Sequence, residues 1–145
     1  MTHSNFSMSF LVNKSPEKVF DTVLDVRRWW TGLYDETIEG RSDILNESFT
    51  FRAGGGAHYS KHKLIEAIPH AKVTWETTDA ALSFVQRKTE WTGTKMSFTI
   101  SKKDNKTQLT FTHEGLVPEM ECYDSCSGAW SQYLREKLMT VLSKD

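Results

Sequence analysis

The sequence predicts an α+β fold in which a curved antiparallel sheet surrounds a long C-terminal helix. Between residues 37 and 113, apolar and polar residues alternate in successive short segments, which is the period of half-buried strands. Helical spacing is found only after the first strand and again at the end of the chain. Because strands do not alternate with helices, a parallel sheet is not expected, and the helices are expected to cover one face of an antiparallel sheet.

The N-terminal residues predict a strand followed by one or two short helices. Residues 5–13 alternate between apolar and polar side chains. Ser15 is a favourable N-cap, and Pro16 suits the first helical position because its missing N–H would have no partner there. Residues 27–30 either continue this helix or form a second short turn, and Gly32 ends it.

The central residues predict successive strands joined by tight turns. The strands are expected within residues 47–52, 59–68, 72–77, 89–101 and 108–113. Turn-forming residues separate several of them, at 54–56, 69–71 and 104–105. Residues 78–88 show no clear pattern and are assigned to no element.

The last segment predicts the longest element of the chain. Apolar and aromatic residues recur there at spacings of three and four, with acidic residues at the start and basic residues toward the end. A helix of roughly 25 residues from Glu119 onward would be about 37 Å long. Its one interior glycine, Gly128, costs about 1 kcal/mol relative to alanine.

Composition limits the classes of function. The 145 residues fit one domain spanning residues 1–145, and 38% are hydrophobic and 26% charged, as in an ordinary globular protein. A net charge of −1 gives no field that would recruit nucleic acid or an anionic membrane. With two cysteines, no signal-peptide pattern and no apolar run of membrane length, a cytoplasmic location is expected.

Four segments resemble a known family. They are residues 15–20 (SPEKVF), 91–94 (WTGT), 109–119 (LTFTHEGLVPE) and 121–126 (ECYDSC), followed by Trp130 and Tyr133. Together they are similar to the START-like, or SRPBCC, helix-grip superfamily, in the branch named after activators of the 90-kDa heat-shock protein ATPase. The resemblance covers nearly the whole chain, and its C-terminal third is the specific part.

The resemblance implies a helix-grip fold of the START and birch-pollen-allergen type, with an internal apolar cavity between the sheet and the C-terminal helix. Proteins of the superfamily bind small apolar or amphipathic molecules, or act as cyclases and hydrolases. The eukaryotic activators carry an additional N-terminal chaperone-binding domain, whereas this sequence matches the grip domain alone. Chaperone contact is therefore the weaker of the partner hypotheses, and a small apolar or amphipathic molecule is the leading one.

The expected ligand-binding residues share aromatic character or a polar tip on the inner face of the sheet or helix. They are Trp75, Phe98, Phe111, His113, Glu114, Tyr123, Cys126, Trp130 and Tyr133. By alternation His113 shares a face with Phe111 and points toward the core, where it could also be a hydrogen-bonded structural histidine. A well-packed core would show the same aromatic pattern, so the sequence leaves a filled and a hollow interior both open.

No catalytic, metal or cofactor constellation is predicted. Cys122 and Cys126 lie one helical turn apart and could join His113 at a metal or act as nucleophiles, but a zinc site would need a second ligand pair. His58 and His62 are interpreted as solvated residues of an edge strand. An enzyme of the cyclase or hydrolase type, with His113, Glu114 or Tyr123 as proton donors, remains the alternative to a binding protein.

Overall fold

The protein is described by a computed structural model over residues 5–144. Seven strands precede a long C-terminal helix: β1 (Phe6–Val12), β2 (Thr37–Gly40), β3 (Ser48–Ala53), β4 (His58–Ile68), β5 (Lys72–Leu82), β6 (Lys95–Lys103) and β7 (Lys106–Glu114). Helix α1 (Pro16–Leu24) and a 3₁₀ helix (Val26–Arg28) lie between β1 and β2. The C-terminal helix consists of α2 (Tyr123–Gln132), a π-helical segment (Tyr133–Leu138) and α3 (Met139–Ser143), without a break.

The strands form one antiparallel sheet in the order β1-β7-β6-β5-β4-β3-β2. Register pairs apolar residues on the inner face, for example Phe98 with Phe111 across β6 and β7. The register between β4 and β5 shifts after Lys61 and again after Leu64. Such irregularities bend a strand and increase its twist, which helps the sheet to curve around the helix.

Helix α1 forms where the sequence predicts it. Ser15 is the N-cap, and its side chain accepts a hydrogen bond from the Lys18 N–H at 3.2 Å. Val19 and Val23, one turn apart, are fully buried. The 3₁₀ helix then turns the chain so that Trp29 and Trp30 enter the core side by side, with ring centroids 6.0 Å apart.

The sequence predictions for the fold are confirmed in their main features. The antiparallel sheet, the long C-terminal helix and the short helix after the first strand are all present. Two boundaries differ. β5 continues to Leu82, into the segment that shows no clear pattern. The C-terminal helix begins at Tyr123 and not at Glu119, because residues 118–122 form turns and a bend, with Met120 N–H donating to Val117 O at 2.9 Å. Among the described residues, no helix combines the length and apolar character needed to cross a membrane.

Candidate functional site

A pocket of about 300 Å³ opens between the inner face of the sheet and the first turns of the C-terminal helix. Its walls are mostly aromatic and are formed by Trp30, Phe51, His58, Trp91, Trp130 and Tyr133. We call this the aromatic pocket. Its rim includes Tyr34 and Phe84, whose side chains are 42% and 48% exposed. The pocket is thus open to solvent at one end and closed by rings at the other.

The walls are held by ring contacts that leave little freedom to rearrange. Trp30 stacks on Phe51 with centroids 4.0 Å apart and lies 4.9 Å from the Trp130 ring. Trp91 is nearly parallel to Trp130, with an interplanar angle of 6° and a centroid distance of 6.2 Å. Close-packed rings of this kind hold their positions without a ligand. The shape of the pocket is therefore largely preformed.

Among the described residues, His58 supplies the one imidazole of the pocket wall. Its ring lies edge to face against Trp91 at 4.6 Å and against Phe51 at 5.3 Å, which fixes the orientation of its plane. Its Nε2 lies 3.0 Å from Ser60 Oγ. Burial lowers the pKa of His58 to about 4, so the ring is neutral at neutral pH.

A chain of hydrogen bonds leads from His58 into the sheet. Ser60 Oγ also lies 2.7 Å from His62 Nε2, and His62 Nδ1 lies 3.0 Å from Thr77 Oγ1. Ser60, His62 and Thr77 are all fully buried. Burial lowers the pKa of His62 well below its usual value, with smaller contributions from His58 and His113. The chain therefore consists of neutral groups in the interior.

His113 belongs to a second, closed set of hydrogen bonds. Trp130 Nε1 donates to His113 Nδ1 at 3.0 Å, so the ring proton of the neutral imidazole lies on Nε2 and is donated to Thr94 Oγ1 at 2.8 Å. Thr94 in turn donates to the Trp91 carbonyl at 2.6 Å. Burial lowers the pKa of His113 to about 3. His113 thus fixes Trp130, and both of its nitrogens are occupied.

Tyr133 connects the pocket wall to the rim. Its hydroxyl donates to Glu36, whose carboxylate also accepts the backbone N–H groups of Gly32 at 2.7 Å, Leu33 at 3.1 Å and Tyr34 at 3.0 Å. Burial opposes ionisation of Glu36, but these hydrogen bonds outweigh it and lower its pKa. Burial, and then Glu36, raises the pKa of Tyr133. The loop of residues 32–36, at the rim of the pocket, is therefore hydrogen-bonded to the C-terminal helix.

The two cysteines form a thiol pair at the side of the pocket. The Cys126 thiol donates to Cys122 Sγ at 2.7 Å, and Trp91 Nε1 donates to the same sulfur at 3.3 Å. The hydrogen bond with Cys126, followed by burial, raises the pKa of Cys122. A thiol with a raised pKa is a poor nucleophile. Within residues 5–144, no three His, Cys, Asp or Glu side chains are grouped as metal ligands.

The structure brings part of the expected set together. Cys126, Trp130 and Tyr133 line the aromatic pocket. The others lie elsewhere: fully buried in the core in the case of Trp75, Phe98, Phe111 and His113, partly buried for Tyr123, and exposed for Glu114. None of the three residues expected as proton donors, His113, Glu114 and Tyr123, lines the pocket.

Several pocket residues were not anticipated from the sequence. The interpretation of His58 and His62 as solvated edge-strand residues is wrong, because β4 is an interior strand between β3 and β5 and His62 is 0% exposed. His62 and Leu64 are two residues apart in β4 and therefore lie on the same face of the sheet, and the apolar character of Leu64 was the signal that this face is buried. Trp30 and Phe51 lie far apart in sequence and meet only through the fold.

A curved antiparallel sheet wrapped around a long C-terminal helix, with a pocket between them, defines a helix-grip protein. The sequence model of one family, the Activator of Hsp90 ATPase homolog 1-like proteins, matches residues 13–143. The chain therefore belongs to that family. No curated protein sequence matches it.

Solved structures show the same fold. The Aha1 dimer from Colwellia psychrerythraea is 24% identical, with a TM-score of 0.74 over 97% of this chain and 96% of that one. A protein from Chromobacterium violaceum is 16% identical, with a TM-score of 0.71 over 98% and 99% of the two chains. A major latex-like protein from Panax ginseng is 10% identical, with a TM-score of 0.63 over 91% and 93%. At these identities the likeness concerns the fold alone.

Proposed function

We propose that this protein binds a small apolar or amphipathic molecule in the aromatic pocket. The observation that carries the proposal is a pocket with preformed aromatic walls, open at a rim where Tyr34 and Phe84 leave apolar surface exposed. Small-molecule sites are typically concave and mostly apolar, with a few placed polar groups. Here those polar groups are His58 and Tyr133, which supports a ligand with both an apolar body and a polar atom.

The size of the pocket favours a compact ligand. Its volume of about 300 Å³ lies at the lower end of small-molecule sites. An apolar cavity of about 150 Å³ takes up benzene. A substituted bicyclic aromatic compound or a short acyl chain therefore fits the space better than a long lipid does.

A ligand panel with a pocket-filling variant tests the proposal. Thermal shift and native mass spectrometry are run with naphthalene derivatives and with fatty acids of medium chain length. We expect some members to stabilise the wild type, and Ala129→Phe, which places a ring in the pocket, to lose that response. Ala81→Phe, on an exposed strand position, is the matched control and should respond as the wild type does. If no compound stabilises the folded wild type, the proposal is rejected.

A chaperone-related role is the second candidate, and the description of the family is the observation that favours it. The measurement is the ATPase rate of Hsp90 with and without this protein at matched concentrations. An increase that depends on the concentration of this protein would support the role. An unchanged rate, together with no detectable complex by sedimentation, would remove it.

A further inference from the structure

Some polar atoms of the residues that line the aromatic pocket make no hydrogen bond within the described part of the protein. The indole N–H groups of Trp91 and Trp130 and the Tyr133 hydroxyl each donate to a protein acceptor. By contrast, neither His58 Nδ1 nor the Trp30 indole nitrogen has a hydrogen-bond partner within residues 5–144. Because no fully enclosed nitrogen or oxygen of the described side chains lacks a partner, these two nitrogens are at least partly accessible, and both side chains line the pocket.

The buried hydrogen bonds that lead from Thr77 through His62 and Ser60 determine which ring nitrogen of His58 carries the proton. Thr77 Oγ1 has His62 Nδ1 as its one side-chain partner among the described residues, so its hydroxyl proton is satisfied only if it is donated there. His62 then carries its proton on Nε2 and donates to Ser60 Oγ, and Ser60 donates to His58 Nε2. The reverse direction would leave the buried Thr77 hydroxyl proton without an acceptor, which is unfavourable.

The direction of these hydrogen bonds leaves the proton of His58 on Nδ1, the ring nitrogen that has no partner among the described residues, and the His58 side chain lines the pocket. Trp30 contributes a second donor that has no alternative, since an indole nitrogen can only donate. Both rings contact Phe51, with centroid distances of 4.0 Å for Trp30 and 5.3 Å for His58. Two rings that line the pocket and contact Phe51 therefore each supply an N–H donor without a protein partner among the described residues, and neither ring supplies a free acceptor.

We propose that His58, oriented by Ser60, His62 and Thr77, donates a hydrogen bond to the bound molecule, and that this molecule carries a neutral acceptor, with a carbonyl oxygen on an aromatic or short aliphatic body as the best match. This inference rests on the proposed binding function and adds the chemistry of the ligand. A carboxylate matches less well, since His58 and His62 are neutral and no lysine or arginine of the described residues lines the pocket.

The test uses two probes of equal shape, 2-acetylnaphthalene and 2-isopropenylnaphthalene, which differ by an oxygen in place of a CH₂ group. Their dissociation constants are measured on the wild type and on His58→Phe, which keeps a ring but removes the donor. The ratio of the two affinities is expected to shift by about tenfold against the ketone in His58→Phe. His70→Asn, which removes a histidine at a turn outside the pocket, is the control and should keep the wild-type ratio.

Two spectroscopic readouts examine the mechanism directly. The carbonyl stretch of bound 2-acetylnaphthalene is expected at lower wavenumber in the wild type than in His58→Phe. Long-range ¹H–¹⁵N spectra are expected to show the proton on Nδ1 of His58 and on Nε2 of His62. Thr77→Val, which removes the hydroxyl behind His62 without touching the pocket, is expected to reduce the preference for the ketone.

The possible failures are distinguishable. If both probes bind the wild type but the affinity ratio is the same in His58→Phe, the ligand inference is wrong while the binding function stands. Finding the His58 proton on Nε2 would also overturn it. If neither probe binds the folded wild type, the proposed function fails, and the ligand inference fails with it.

Discussion

Acidification is expected to unfold this protein earlier than its carboxylates would require. His58 and His113 are held neutral by burial, with pKa values of about 4 and about 3, and the pKa of buried His62 is lowered in the same direction. In the unfolded chain a histidine titrates near 6.5. Between these values the unfolded state binds more protons than the folded state, so the free energy of unfolding falls as the pH falls.

The size of the loss follows from the two pKa values. At pH 5 an unfolded histidine is almost fully protonated, whereas His58 and His113 remain mostly neutral in the folded protein. Relative to pH 8, each then lowers the free energy of unfolding by about 2 kcal/mol, or about 4 kcal/mol together, and His62 adds to the loss. A total stability of about 5–15 kcal/mol makes such a loss easy to measure.

The assay is urea unfolding at pH steps from 8 to 5, a window above the usual pKa values of carboxylates. His113→Asn is expected to be less stable at pH 8, because Trp130 and Thr94 lose part of their hydrogen bonding, but to lose about 2 kcal/mol less than the wild type on going to pH 5. Val23→Ala, a non-titrating core change, should shift the whole curve without changing its slope. A wild-type stability that is flat between pH 8 and 5 would refute the reasoning.

Three further predictions concern stability and are checked by urea or thermal unfolding. Trp30→Ala removes a buried ring from the pocket wall and is expected to cost about 3–5 kcal/mol, and a cost below 1 kcal/mol would contradict the packing described. Ser15→Ala removes the cap on the Lys18 N–H and should cost about 1 kcal/mol, with Ser15→Asp as a near-neutral control. Gly40→Ala should destabilise strongly, since Gly40, the last residue of β2, has φ +101° and a Cβ there would lie 2.5 Å from the Ser48 carbonyl oxygen. Wild-type stability of this variant would show that the end of β2 can relax.

The sequence predicts the fold well because the fold is carried by local periodicity. Residues 95–101 and 108–113 alternate cleanly, since one face of β6 and β7 is buried. Ser15 and Pro16 mark the start of α1 by local capping alone. Residues 78–88 resist assignment because β5 ends at Leu82 within them and a connection made of turns follows.

The pocket is less predictable because it depends on contacts between distant residues. His62 is interpreted as exposed because a polar side chain on a strand usually faces water. Its burial is possible because both ring nitrogens are hydrogen-bonded, one to Ser60 and the other to Thr77 on the neighbouring strand. In the same way, nothing in the local sequence connects His113 to Trp130. The residues expected from the aromatic pattern therefore divide between core and pocket in a way that periodicity does not resolve.

Two sets of hydrogen bonds, one ending at His58 and one centred on His113, explain why the pocket can be rigid and still polar. In the hydrogen bonds around His113, one ring nitrogen accepts from Trp130 and the other donates to Thr94, so Trp130 in the pocket wall is held by groups with no unused donor. In the hydrogen bonds that end at His58, the last donor has no partner within residues 5–144, and its side chain lines the pocket. An unused donor in an apolar site is costly unless something accepts from it. That cost is a reason to expect a ligand with an acceptor atom and not a purely hydrocarbon one, because a hydrocarbon would remove water from His58 and return no hydrogen bond.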